Sequence, residues 1–131
     1  MPGKKTISVI VPVYSCDAYL AGMLEELFLS GLRLNAGRPV ELVLVDDASP
    51  LEKETSAQAL KAAEWAKVIY LRNTENLGYV RSVNRGLAAA AGELVLVCNS
   101  DTRLAPGALG AMCAARDSDP SVGIVGPVSN G

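Results

Sequence analysis

Val43-Leu44-Val45-Asp46-Asp47-Ala48-Ser49 is an apolar strand-forming run that ends in two carboxylates, and Leu94-Val95-Leu96-Val97-Cys98-Asn99-Ser100-Asp101 repeats that pattern later in the chain. Runs that are apolar on both faces suit strands buried on both sides of a parallel sheet. In an open α/β sheet, ligands bind at the carboxyl edge of the strands, so oxygen-bearing side chains from separated segments can meet there. Two strand ends of this kind suggest a site for a diphosphate and a metal ion.

Outward from these two runs, strand-like and helix-like stretches alternate. Ile7 to Val13 is nearly continuous and β-branched, the pattern of a first buried strand. Asp17 can cap the helix that follows, with Leu20, Met23, Leu24, Leu27 and Phe28 at helical spacing before Gly31 and a turn at Gly37-Arg38-Pro39. Glu41 to Val45 is the second strand. After Ser49-Pro50, a helix carries Leu51, Thr55, Gln58-Ala59 and Ala62-Ala63, and Val68 to Leu71 returns as a short strand. Asn73 to Gly78 reads as a turn, Tyr79 to Ala91 as an alanine-rich helix with Gly86 inside it, and Glu93 to Cys98 as the fourth strand. A helix from Pro106-Gly107-Ala108 to Arg116 and a fifth strand at Val122 to Val125 complete the pattern. Strands separated by helices imply right-handed crossovers, hence an α/β fold with a mainly parallel open sheet and helices on both faces.

Composition narrows the classes. The chain has 131 residues, half of them hydrophobic, with 12 basic and 14 acidic side chains and a formal charge of −2. That is enough for one domain, and it argues against nucleic acid as the main partner, because a phosphate backbone needs a cationic face. No apolar run reaches the length of a transmembrane segment and no leading signal pattern is present, so a cytoplasmic location is expected. Cys16, Cys98 and Cys113 are scattered and odd in number, which fits reduced, partly buried thiols. With no histidine in the chain, acid–base chemistry must fall to carboxylates or to groups outside it. The first strand leads into Pro12-Val13-Tyr14-Ser15 without the G-x-G-x-x-G turn, and no G-x-x-x-x-G-K-[ST] loop occurs. A phosphate ligand then needs a cation, and a hard oxygen donor such as Asp101 suits magnesium or manganese.

These residues resemble family 2 of the metal-dependent glycosyltransferases of the GT-A fold. The resemblance rests on Ser8-Val9-Ile10-Val11-Pro12-Val13-Tyr14, Val45-Asp46-Asp47-Ala48-Ser49, Asn76-Leu77-Gly78 leading to Asn84-Arg85-Gly86, Gly92-Glu93, and Asn99-Ser100-Asp101, in that order over almost the whole chain. It implies that Pro12 and Tyr14 line the nucleotide pocket and that Asp47 accepts a hydrogen bond from the imide N–H of uracil or thymine. It also implies that Asn99-Ser100-Asp101 stands where the family has D-x-D, with Asp101 the metal ligand. Asn99 departs from that pattern and carries no charge, which weakens the expected hold on a cation. The N-x-D form resembles a branch with rhamnosyl and galactofuranosyl transferases. Arg81 and Asn84 match positions facing the diphosphate.

The chemistry so implied is an inverting transfer of sugar from a UDP- or dTDP-linked donor to a glycan or lipid-linked acceptor. The family's catalytic base lies downstream of the fifth strand, so residues 1–131 are expected to form a donor-binding half, inactive alone. Asp117 and Asp119 look like a surface turn. Peripheral association with the inner membrane face and self-association through an uncovered sheet edge are further expectations. Against this stand a plain turn at Asp46-Asp47, with Asp46 orienting the loop, and a core or exposed role for Trp65. Two other classes remain: a nucleotide-binding or scaffold module without catalysis, and a phosphoacceptor signalling domain. The latter needs an acid pair on the first strand, where this chain has Pro12-Val13-Tyr14.

Overall fold

The computed structural model describes residues 6–15, 17–34, 39–50, 52–105 and 107–126. Cys16, Gly37, Arg38, Leu51, Pro106 and the Pro127-Val128 pair lie outside the described residues, as does the side chain of Asp17. Eight elements follow one another: β1 (Ile7–Val13), α1 (Asp17–Leu34), β2 (Val40–Asp46), α2 (Glu52–Ala62), β3 (Lys67–Arg72), α3 (Tyr79–Ala89), β4 (Leu94–Val97) and α4 (Ala108–Asp117). The strands form one parallel sheet in the order β3-β2-β1-β4.

That order decides where the helices go. The chain steps outward from β1 to β2 to β3, then crosses back to the far side of β1. Right-handed crossovers therefore put α1 and α2 on one face and α3 on the other. Alternate residues of the strands serve the two faces. Val9, Val11, Val13, Leu42 and Leu44 join Leu20, Met23 and Leu27 of α1, Ala59 and Ala62 of α2, and Leu109 and Cys113 of α4. Ile10, Val43 and Val45 form the smaller core under α3. Burying each such aliphatic side chain contributes about 1.5–3 kcal/mol.

Gly86 sets how close α3 can come. A Cβ there would lie 2.6 Å from Cγ2 of Ile10 and 3.2 Å from Cγ2 of Val45. The helix thus gains contact with the sheet at the cost of a poor helix former in its interior. At the opposite end of the same face, Ser8, Glu41 and Lys67 stand in register across three strands. The Glu41 carboxylate accepts the Ser8 hydroxyl and the Ala91 N–H, both at 2.9 Å, and Lys67 approaches to 3.6 Å. Burial pushes the Glu41 pKa up, but the Ala91 and Ser8 bonds and Lys67 outweigh it and leave the pKa below the ordinary value.

Three sequence expectations are corrected. Helix α1 continues through Gly31 to Leu34, since one glycine costs only about 1 kcal/mol in a helix whose earlier turns pack Leu20, Met23, Leu24 and Leu27 into the core. Helix α3 stops at Ala89, with Ala90 already in extended conformation and its N–H on the Gly86 carbonyl. Val122 to Val125 is irregular, not a strand. It lies along a groove of about 400 Å³ beside β4 and α4 and makes no ladder, and Ile124 is 94% exposed. Strand composition alone does not pair a segment: residues 122–125 lie beside the outer side of β4 without joining its ladder.

Candidate functional site

Asp46 closes β2 and is fully buried. Its Oδ1 accepts the Ser49 N–H at 2.8 Å, while Oδ2 accepts the Tyr70 hydroxyl at 2.6 Å and the Arg72 guanidinium at 2.8 Å. Arg72 is the direct register partner of Asp46 on β3, and it also donates to the Ser49 carbonyl. Burial and the bond to Asp46 raise the Tyr70 pKa well above the usual phenol range. Backbone bonds extend the clamp sideways, from Asp47 N–H to the Val13 carbonyl and from Asn73 N–H to the Asp46 carbonyl. The carboxyl ends of β1, β2 and β3 are thereby tied into one rim.

Asp47 points to the other face, toward α3. Its Oδ1 accepts the Leu77 N–H at 2.6 Å and the Asn73 side-chain amide at 2.9 Å, and its Oδ2 accepts the Gly78 N–H at 2.9 Å. Gly78 caps α3 without a side-chain oxygen, and the first turn of α3 holds no acid. Asp47 supplies that missing negative charge from a different element, where the helix dipole favours it. Burial acts to raise its pKa, but the Leu77, Asn73 and Gly78 donors and the Ser82 hydroxyl prevail and lower it. Asn73 is 2% exposed; it also donates to Ser82 Oγ and accepts from Arg85 at 2.7 Å.

The residues around this rim are open. Pro12 is half-buried and Tyr14 is 49% exposed, just past β1. Ser15 and Ala48 hold left-handed backbone at φ 54° and φ 61°, and the Ser15 N–H bonds Ser49 Oγ at 3.1 Å. Non-glycine residues in that region concentrate at ligand-facing turns because the surrounding structure must enforce them. Arg81 and Asn84 are exposed on α3, three residues apart and so on one side of the helix.

Ile10 pairs with Val97, so the chain past β4 emerges beside Pro12. There Asn99 and Asp101 are exposed and Ser100 is buried. Thr102 N–H closes a turn on the Asn99 carbonyl, Arg103 pairs with Glu26 of α1, and Leu104 enters the core. Cys98 is buried beneath this loop; burial above all, with the Asp101 charge, raises its thiol pKa against a lowering bond from Thr102.

Thus one sheet edge collects Pro12, Tyr14, Asp47 and Asn99-Ser100-Asp101, with Arg81 and Asn84 on the helix that leaves it. Among the described residues no group of three His, Cys, Asp or Glu side chains could hold a metal ion by itself. Asp101 and the Asn99 amide are hard oxygen donors, and magnesium is commonly bound through one or two carboxylates with substrate phosphates completing the shell. The donor set therefore fits a divalent cation that arrives with a diphosphate.

Several residues of the rim were given no role from sequence: Tyr70, Arg72, Asn73, Ser82 and Arg85, the last of which stands in the Asn84-Arg85-Gly86 run. The one available signal was charge, because a strand carrying Arg72 next to one ending in Asp46 makes an opposite-charge cross-strand pair once the register is known. Trp65 packs its ring against Phe28 with centroids 5.2 Å apart. Asp117 ends α4, and Asp119 accepts the N–H and hydroxyl of Ser121 in an exposed turn.

A family model described as "Glycosyl transferase family 2" matches residues 8–130. The chain belongs to that family. Among curated relatives of the family, an N-acetylglucosaminyl-diphospho-decaprenol L-rhamnosyltransferase of Mycobacterium tuberculosis is 32% identical over 91% of this chain and 41% of its own length. An undecaprenyl-phosphate 4-deoxy-4-formamido-L-arabinose transferase of Pseudomonas aeruginosa is 32% identical over 76% of this chain and 29% of its own. The chain therefore spans about a third of the length of the curated relatives it matches. Among solved structures, a Pyrobaculum calidifontis mannosyltransferase in complex with GDP-Man and Mn2+ superposes with a TM-score of 0.77 at 24% identity, over 92% of this chain and 34% of that one. S. aureus TarS 1–349 in complex with UDP superposes with a TM-score of 0.72 at 26% identity, over 86% and 32%. The fold of this family 2 chain is thus the GT-A-like parallel α/β sheet of glycosyltransferases.

Proposed function

We propose that residues 1–131 are the nucleotide-sugar-binding part of a glycosyltransferase that takes a UDP- or dTDP-linked sugar and passes it, with inversion, to a glycan or lipid-linked acceptor. The observation that carries this reading is the contrast along one sheet edge. Asp46 and Asp47 are locked into the rim, while Tyr14, Asn99, Asp101, Arg81 and Asn84 present exposed aromatic, oxygen and cationic groups beside it. Such an edge supplies what a nucleoside diphosphate needs: a ring to stack on, an acceptor for the base, and charge for the phosphates.

In this reading Pro12 and Tyr14 line the base pocket and Asp47 accepts the imide N–H of uracil or thymine. Asp101, with the Asn99 amide, would hold a magnesium or manganese ion against the diphosphate. Bound there, the cation supplies positive charge to the departing phosphate oxygens. Arg81 adds a second positive charge as the acceptor oxygen forms its bond to the anomeric carbon and the bond to phosphate breaks. The acceptor proton must go to a base, and neither Asp117 nor Asp119, exposed at the end of α4, faces this edge; residues 1–131 alone therefore bind donor without transferring sugar. The relatives named for undecaprenyl-phosphate and decaprenol substrates support a lipid-linked acceptor and action at a membrane face. No helix among the described residues is long and apolar enough to cross a membrane.

Calorimetric titration with UDP, dTDP, GDP and ADP, each with manganese and with chelator, tests the reading. Manganese-dependent binding of UDP or dTDP is expected, abolished by Asp101→Ala. Binding that ignores both chelator and Asp101→Ala, or no binding of any nucleotide, would overturn it. Asn99 in place of a second carboxylate favours a second reading, a nucleotide-binding module that turns nothing over; sugar transfer by the longer protein would exclude it.

A further inference from the structure

We infer that Arg85, acting through Asn73, is a positioning residue for base selection: it fixes the orientation of the Asp47 carboxylate so that one oxygen is left to read the base. The inference deepens the donor-binding reading and rests on Asp47 facing a pyrimidine.

The argument begins with the amide of Asn73, which is buried with three side-chain hydrogen bonds. Its nitrogen faces Asp47 Oδ1 at 2.9 Å and Ser82 Oγ at 3.0 Å, and its oxygen faces the Arg85 guanidinium at 2.7 Å. An amide can be turned over end for end at little steric cost, so something must decide which end meets Asp47. Guanidinium can only donate, so the end that meets Arg85 must be the oxygen. The NH2 end is then directed at Asp47 and Ser82. Turned over, the amide would set its oxygen against a carboxylate and its NH2 against a guanidinium, two repulsive contacts in a site 2% exposed.

Asp47 inherits this choice. With Asn73 and Leu77 N–H both on Oδ1, that oxygen is filled by two donors. Oδ2 takes one N–H, from Gly78, with the Ser82 hydroxyl beside the same carboxylate; it is the oxygen assigned to the base. A uracil or thymine ring offers an N–H at its imide position; cytosine presents a lone pair there. Discrimination between UDP and CDP therefore reports on this one oxygen, without touching the diphosphate or the cation. Arg85 is well placed for such a role because it sits on the exposed side of α3, outside both hydrophobic clusters. Its loss leaves the core unchanged.

The test is the ratio of UDP to CDP dissociation constants, measured with manganese for the unaltered protein, Asp47→Asn, Arg85→Met and Arg85→Lys, with thermal melting of each. The unaltered protein should favour UDP by roughly tenfold or more, the loss expected for one hydrogen bond to a charged acceptor. Asp47→Asn should abolish the preference. Arg85→Met should reduce it about threefold to tenfold with the melting temperature lowered only as far as the loss of one hydrogen bond to Asn73 requires, and Arg85→Lys, which still donates to Asn73, should restore most of it. If Asp47→Asn removes the preference and Arg85→Met does not, the role of Arg85 falls while the base reading stands. If the unaltered protein has no preference, or Asp47→Asn retains it, the base reading itself falls and the inference with it. A loss in Arg85→Met that Arg85→Lys fails to restore would also overturn the role assigned to the donor.

Discussion

The ends of β2 and β4 carry similar sequence, an apolar run closed by acid or amide, and the fold treats them in opposite ways. Behind β2, Asp46 is wholly buried and bonded to Ser49, Tyr70 and Arg72, and Asp47 is bonded to Asn73, Leu77 and Gly78. Behind β4, Asn99 and Asp101 stand exposed, while the backbone turn to Thr102, the Thr102–Cys98 bond, the Arg103–Glu26 pair and Leu104 steady the loop. Asp46, whose donors all come from the chain, is part of the framework, and Asp101, left in solvent, is open to a ligand; Asp47, held by Asn73 and two backbone N–H groups, is the framework carboxylate that the proposed base would meet. The lesson is that an acidic strand end acquires its meaning from the strand beside it. β2 lies between β1 and β3, while among the described residues β4 has a neighbour on one side only.

The sharpest way to break this contrast is Asp46→Ala. It strands the Tyr70 hydroxyl and removes one bond from Arg72, which keeps its bond to the Ser49 carbonyl and is 31% exposed; a loss of about 2–3 kcal/mol is expected, and urea denaturation should show it. Asp47→Asn comes next, with a loss of about 1–2 kcal/mol at neutral pH as charge-assisted bonds become neutral ones. It should also flatten the acid limb of stability. The Asp47 and Glu41 pKa values are lowered by folding, so the stability they contribute is whole above their unfolded values of about 4 and is lost as pH falls toward the folded ones. Melting temperatures between pH 6 and about pH 2, compared for the unaltered protein and Asp47→Asn, check the sign: the unaltered protein should lose more.

Behind β4 the same operations should cost little stability. Arg103→Ala removes an ion pair whose arginine is 76% exposed, so less than about 1 kcal/mol is expected. Asp101→Ala should change stability by no more than about 0.5 kcal/mol, while removing metal-dependent nucleotide binding. Destabilisation by Asp101→Ala on the scale of Asp46→Ala would erase the distinction between framework and open site.

The two regions also show what the sequence could reveal. β1 was readable to the residue, because Ile7 to Val13 is apolar on both faces and β-branched. β2 and β3 each extended by a residue at both ends, where Val40, Asp46, Lys67 and Arg72 are recruited by pairing. The Val122–Val125 stretch had strand composition but no edge that engages it. At the sheet edge, Tyr14, Asn99 and Asp101 were proposed as ligand-facing from motif order, and the fold leaves all three exposed there. The Asn73–Arg85 pair was not, because a buried amide and the arginine that orients it lie 12 positions apart and meet only when α3 packs on the sheet. Asp46 and Asp47 are alike in side chain, and the fold turns them to opposite sides because successive residues along a strand alternate.

The clearance at Gly86 bears on motion. With less than a methyl group's space between α3 and the side chains of Ile10 and Val45, the helix has no neighbouring position to slide into: a shift of one residue along its axis would drive Arg85 or Leu87 into the slot. Helix α3 is therefore a fixed bearing, carrying Arg81, Asn84 and Arg85 at constant height above the sheet. In the function proposed above, accommodation of donors of different size falls to the segments that flank it, the turn before Tyr79 and the loop after Val97.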